Sequence, residues 1–225
     1  MKLFDVYPEL KQAIDRLCKG IPWRITGASA LVYDAENFYF ELAKPKHWHQ
    51  HPDGTLEVGI GAIGGSIETG ESILGCLQRE ATEELGKSLQ IASAERTYLV
   101  FKENTILSLE LAPRSLPRPA LFTIGENLYR QHLFPEYPLL AIATFFGQLQ
   151  GPPQVKDLFA LFAIPKAELY TLLQNDTLSL TAAFKIPGLS IKSHRPLPEK
   201  AILVPRWTVR TLQILLQAGY LTDLN

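Results

Sequence analysis

Hydrophobic and polar positions repeat along this chain with two different periods. Between residues 71 and 86 the period is helical, because Ile73, Leu74, Leu77, Ala81 and Leu85 fall on one stripe. Gly86 stands where a helix C-cap would. Residues 8–19 predict a second helix, with Pro8 suited to its first turn, Leu10, Ile14 and Leu17 on one face and Gly20 after it. Residues 165–174 and 206–217 predict two more, the latter with Val209, Leu212, Leu215 and Leu216 as its stripe. The strand period is plainest at residues 37–42, where Phe38, Phe40 and Leu42 alternate with Tyr39 and Glu41. Further strands are expected at 28–33, 55–63, 95–101 and 105–111, and an apolar hairpin at 139–149 and 154–163 around Gly151, Pro152 and Pro153. Residues 112–138 hold five prolines, a density that blocks regular ladders and reads as an insertion. Its aromatic and basic residues Arg114, Arg118, Phe122, Tyr129, Arg130 and His132 are candidates to shape a pocket or an interface. Strands alternating with flanking helices predict an α/β/α sandwich. The expected organisation is an N-terminal helix or arm at 1–22, a core domain at 23–175 and an extension at 176–225 packed on that core.

The helix of residues 71–86 carries the candidate chemistry. Glu80, Glu83 and Glu84 stand at i, i+3 and i+4, which puts them on one face beside the apolar stripe. Like charges so placed repel by about a few tenths of a kcal/mol per pair. A solvated acidic face is the plain alternative. Hard oxygen ligands in this arrangement suit Mg²⁺ or Mn²⁺, which would cancel the repulsion. Gly59, Gly61, Gly64 and Gly65 precede or open the stretch, and a double glycine suits a sharp strand exit.

The whole stretch resembles the Nudix box, G-x5-E-x7-R-E-U-x-E-E-x-G-U with U a bulky apolar residue. Gly65, Glu71, Arg79, Glu80, Ala81, Glu83, Glu84 and Gly86 fall at the required spacings. Ala81 is small for its U position, and Lys87 replaces the final apolar residue. The box spans about a tenth of the chain. The resemblance implies the Nudix α/β/α sandwich with a mixed central sheet. It also implies divalent-metal-dependent hydrolysis of a diphosphate linkage, in a nucleoside diphosphate joined to another moiety or a similar organic pyrophosphate. Glu80, Glu83 and Glu84 would then be metal ligands to Mg²⁺ or Mn²⁺, directly or through water, with the Gly64 carbonyl as a further ligand. Arg79 would hold box carboxylates by charge-assisted hydrogen bonds, and Gly65, Glu71 and Gly86 would fix the loop and helix. The general base stays open among Glu83, Glu103, Glu126 and Glu136. The signatures of coenzyme A, ADP-ribose and reduced-dinucleotide relatives are absent, so the substrate stays open as well.

Composition narrows the remaining classes. A 46% hydrophobic content suffices for a full core. A net charge of −1 offers no electrostatic pull toward nucleic acid or anionic membrane. No run is long and apolar enough for a membrane span, and residues 1–10 lack a signal-peptide core, so a cytoplasmic setting is expected. Cys18 and Cys76 lack metal or redox spacing. Cys76 reads as a packing residue, which argues against a prenyl-diphosphate isomerase with a catalytic cysteine. His47, His49 and His51 alternate in a Pro-flanked loop without completing a zinc ligand set, and Trp48 or a histidine there is a candidate substrate contact. The alternative to an enzyme is a ligand-sensing regulator of the same fold, with a DNA-reading helix near residues 206–217. A homodimer is left open.

Overall fold

A computed structural model describes residues 2–221. Its centre is the strand Trp23–Tyr33, buried along most of its length and paired on both sides. One neighbour is Leu139–Leu149, parallel, with Trp23 opposite Leu139 and Tyr33 opposite Gln148. On the other edge Ile63–Ser66 pairs antiparallel with Gly27 to Ala30, and Asn37–Leu42 pairs with Val32 and Tyr33. From there the sheet continues through Leu56–Gly61 to Ala201–Pro205, which runs parallel to it. Beyond Leu139–Leu149 it continues through Leu121–Glu126 and Thr97–Phe101 to Thr105–Leu109. Parallel and antiparallel pairings mix, as the mixed α/β expectation requires.

Each face of this sheet carries its own apolar cluster. One gathers Leu10, Ile14 and Cys18 of the helix Pro8–Cys18 with Cys76, Leu77, Ala81 and Leu85 of the helix Ile73–Leu85. The other gathers Leu169, Leu172 and Leu173 of the helix Leu169–Leu173 with Val209, Leu212 and Leu215 of the helix Thr208–Gln217. Strand alternation sorts side chains between them: Phe38, Phe40 and Leu42 enter the second cluster, whereas Tyr39 enters the first. The chain is therefore an α/β/α sandwich, with helices on both faces of a mixed sheet.

Three sequence expectations are corrected. The stretch 112–138 is not free of ladders, because Leu121–Glu126 lies in the sheet between Leu139–Leu149 and Thr97–Phe101. Its prolines stop at Pro119 and resume at Pro135, leaving a Pro-free run whose Leu121 and Phe122 are fully buried. Residues 139–149 and 154–163 do not form a hairpin. Leu139–Leu149 pairs with Trp23–Tyr33, and Ala160–Pro165 pairs antiparallel with Asn37–Leu42. The segment between them is occupied elsewhere: the N–H groups of Gln154, Lys156 and Asp157 donate to the carbonyls of Leu85, Glu84 and Glu83. Those are carbonyls that a helix end leaves without intrahelical partners.

Finally, residues 201–217 are part of the sandwich, through a sheet strand and a core helix. Thr208 Oγ1 lies 2.9 Å from Ser29 Oγ in a buried hydroxyl cluster with Thr144. Arg210 pairs with Glu103 and Asp176, and Arg206 with Glu57. The helix proposed for reading DNA spends its apolar face on the core, and Arg206 and Arg210 are paired with surface carboxylates of this chain, so nothing here supports the regulator reading. Among the described residues no helix is long and apolar enough to cross a membrane.

Candidate active site

The box segment runs from strand to loop to helix. Gly64 and Gly65 belong to Ile63–Ser66, opposite Ser29 and Ala28. Gly64 has φ +148°, and a Cβ there would lie 2.3 Å from the Ala28 carbonyl oxygen. The helix starts at Ile73 rather than at Glu71, because the Ser72 hydroxyl accepts the Gly75 N–H at 3.0 Å as an N-cap. It ends at Gly86, whose left-handed φ of 63° lets its N–H reach the Thr82 carbonyl. Lys87, the departure from the box pattern, closes the same motif by donating its N–H to the Ala81 carbonyl at 3.5 Å. Ala81 is fully buried, so a small residue fits its place against the sheet.

Arg79 organises the acidic residues. Its Nε donates to Glu71 Oε1 at 2.9 Å, its Nη1 to Glu80 Oε1 at 2.8 Å and to Glu83 Oε2 at 3.2 Å, and its Nη2 to the Ser66 carbonyl at 3.0 Å. One guanidinium thus ties the loop, the strand exit and the helix together. It also holds the Glu71 carboxyl below the usual carboxylate range. The three helix glutamates differ in setting. Glu83 leaves half of its side chain in solvent, at 53% exposure. Glu80 is mostly covered and lies across Gly65, where an ideal Cβ would fall 2.0 Å from its Oε1. Glu84 is buried, and its Oε2 accepts the Gly64 N–H at 3.3 Å.

Two residues join this group that the sequence did not single out. Glu41 lies on the strand Asn37–Leu42, opposite Gly61. Lys44 donates to Asp157 at 2.9 Å, a bond that raises its pKa. Burial, together with the charges of Glu41 and Glu80, pushes the Glu84 carboxyl up to about 9. Burial pushes Glu41 up to about 7, with Lys44 opposing and Glu80 adding to the shift. Each buried carboxylate raises the cost of ionising the next.

A stability prediction follows from these raised values. The unfolded chain releases such protons near pH 4–5, whereas the folded metal-free chain retains them to higher pH. Below pH 4 both states are protonated and there is no differential. As pH rises from about 5 to 9, the unfolded state is favoured progressively. Thermal melts in chelator should show the melting temperature falling across that window, and a flat or rising profile would contradict it.

The other candidates disperse. Glu103 and Glu126 pair with Arg210 and Lys102. Glu136 is exposed on the segment between Leu121–Glu126 and Leu139–Leu149, with no hydrogen bond or ion pair to the box among the described residues. His51 faces Glu57 at 3.3 Å, and the His49 and His51 rings meet edge to face at 5.2 Å. Trp48 donates to the Ala43 carbonyl and packs on Phe159. Cys76 is buried, with its thiol pushed up to about 12, which suits packing rather than nucleophilic attack. From the 112–138 stretch Arg130 donates to Ser66 Oγ at 2.9 Å, and Leu116, Pro117 and Phe134 line a cavity with the box residues Ile67 to Leu74.

Among the described residues no three His, Cys, Asp or Glu side chains are already gathered around one point as a metal would require. Arg79 draws Glu80 and Glu83 toward itself. The donor chemistry nonetheless fits a hard divalent cation, because the charge of Glu80 opposes ionisation of Glu41 and Glu84, and a cation among them would reverse that.

No family model matches the sequence, and no curated protein matches it. Solved structures similar to it include a Nudix-family hydrolase from Clostridium perfringens, 13% identical over 64% of this chain and 83% of that one, with a TM-score of 0.38. The MutT protein of Methanosarcina mazei Go1 is 13% identical over 67% and 83%, also at 0.38. The E. coli dihydroneopterin triphosphate pyrophosphohydrolase is 13% identical over 63% and 80%, at 0.33.

Proposed function

We propose that this chain is a Nudix-type pyrophosphohydrolase that uses Mg²⁺ or Mn²⁺ to split a diphosphate linkage in a nucleoside diphosphate derivative or a similar organic diphosphate. The observation that carries this reading is the box itself. Arg79 braces Glu71, Glu80 and Glu83, while Glu84 is turned in against the backbone of Gly64.

Glu80 and Glu84 would hold the cation, with Glu83 and the Gly64 carbonyl as further donors. The cation would neutralise charge on the phosphate oxygens and ease formation of a hydroxide from bound water. Arg79 fixes the direction in which Glu80 presents its oxygens. Its bonds to Glu71 and the Ser66 carbonyl keep the loop from shifting relative to the helix. Glu83, the exposed member, would take a proton from an attacking water at the solvent side of the site. Gly65 keeps a side chain out of the space in which Glu80 lies, and Gly64 lets the strand pass close against the backbone of Ala28 and Ser29. The reaction yields two phosphorylated products.

The test is a panel of nucleoside diphosphate sugars, dinucleoside polyphosphates and nucleoside triphosphates, incubated with the full chain and Mg²⁺, Mn²⁺ or chelator. The expected result is cleavage of at least one class between phosphoryl groups, abolished by chelator. No turnover of any class with either metal, or turnover indifferent to chelator, would overturn the reading.

A further inference from the structure

The four strand positions from Gly61 to Gly65 that pass beneath the box include three glycines, and two of those three are covered by carboxylates from different elements. Glu80 of the helix lies over Gly65. Glu41, from a strand that precedes the box by more than twenty residues, lies over Gly61, where an ideal Cβ would be 2.6 Å from its Oε1 and 3.0 Å from its Cγ. The sheet geometry dictates this placement. Phe38, Phe40 and Leu42 point to the far cluster, so residue 41 must point to the face that carries the box helix. Its register partner Gly61 offers no side chain to stop its carboxylate from lying over the strand.

Glu41 is only partly exposed, yet no hydrogen bond or ion pair to it is present among the described residues. Lys44, the cation whose field reaches it, is bonded to Asp157 instead. The electrostatic neighbours of Glu41 are otherwise negative: Glu80 and Glu84. A carboxylate kept off water without a partner is costly, and one facing two others is more so. Such a group is stabilised by a ligand that needs several oxygens at once.

We infer that Glu41 is a further carboxylate of the divalent-cation site, contributed from outside the box to the same ion that Glu80 and Glu84 would hold. This rests on the metal-dependent reading above. It adds a ligand that the motif does not contain, and it explains why Gly61 carries no side chain: even a methyl group there would collide with the Glu41 carboxylate.

Mn²⁺ binding, followed by electron paramagnetic resonance of the free ion and by the metal-induced rise in melting temperature, tests this without reference to turnover. The proteins compared are the wild type, Glu41→Gln, Glu84→Gln and Glu126→Gln, the last removing a carboxylate paired with Lys102 far from the box. Glu41→Gln should weaken Mn²⁺ binding by about ten- to a hundredfold and shrink the melting shift, while Glu126→Gln matches the wild type. Glu41→Gln binding as tightly as the wild type, with Glu84→Gln weakened, would overturn the inference and leave the hydrolase reading standing. A wild type that binds no Mn²⁺ would overturn both. Should Glu41→Gln not fold, Glu41→Asp carries the same test, because the shorter side chain should lose affinity and wild-type affinity would again refute the role.

Discussion

Replacing Glu84 with Gln is expected to lower metal-dependent hydrolysis by roughly a thousandfold, the several kcal/mol of charge stabilisation that a bound cation supplies. Glu84 is the buried member of the helix trio, and Gln keeps the oxygen that accepts the Gly64 N–H. What Gln removes is the charge. The loss should not come from unfolding, because in chelator the wild type must crowd Glu84 against Glu41 and Glu80. Metal-free Glu84→Gln should therefore melt at or above the wild type, and should gain little from added Mg²⁺ where the wild type gains much. Full activity in this variant would remove the metal assignment.

The second large effect is structural. Gly64→Ala should destabilise the protein by about 3–5 kcal/mol, the range of substitutions that force backbone strain. Its φ of +148° is one that side-chain-bearing residues rarely adopt, and its Cβ would meet the Ala28 carbonyl at 2.3 Å and the Ser29 Cα at 2.6 Å. Both obstacles are backbone in the central strand and cannot step aside. For a chain of this length the melting temperature should fall by roughly 10 °C. Gly65→Ala is the instructive contrast, since its Cβ would strike only the end of the Glu80 side chain. That variant should fold and lose activity, because Glu80 is pushed from its place. A Gly64→Ala protein as stable as the wild type would show that the strand exit tolerates what this geometry forbids.

The box was legible because its determinants are local. Helical period, the spacing of Glu80, Glu83 and Glu84, and the C-cap at Gly86 all lie within one short run, and the helix Ile73–Leu85 realises them. Arg79 does bind the box carboxylates, at the positions that the resemblance implied. Glu41 was not legible as a site residue, although its alternation with Phe38, Phe40 and Leu42 was. What brings it to the box is its register with Gly61, which depends on strands that meet only in the folded sheet. The misread hairpin has the same origin. Two apolar runs joined by Gly151, Pro152 and Pro153 look like neighbours, but each finds a better-matched edge far away in sequence. Leu121–Glu126 was hidden by prolines that flank it without entering it. Residues 201–205 were hidden by brevity, since five residues with two outward positions carry little pattern of their own.

Residues 201–205 run alongside Leu56–Gly61, the strand whose Gly61 underlies Glu41, and Thr208 anchors the hydroxyl cluster beneath Ser29, the register partner of Gly64. During synthesis the motif therefore emerges from the ribosome well before its footing does. The glutamates are translated more than a hundred residues ahead of the segment that braces the floor under them. Catalytic competence should accordingly arrive late and all at once, when that last strand slots in, and a nascent chain stalled short of it would carry the complete motif on an unfinished sheet.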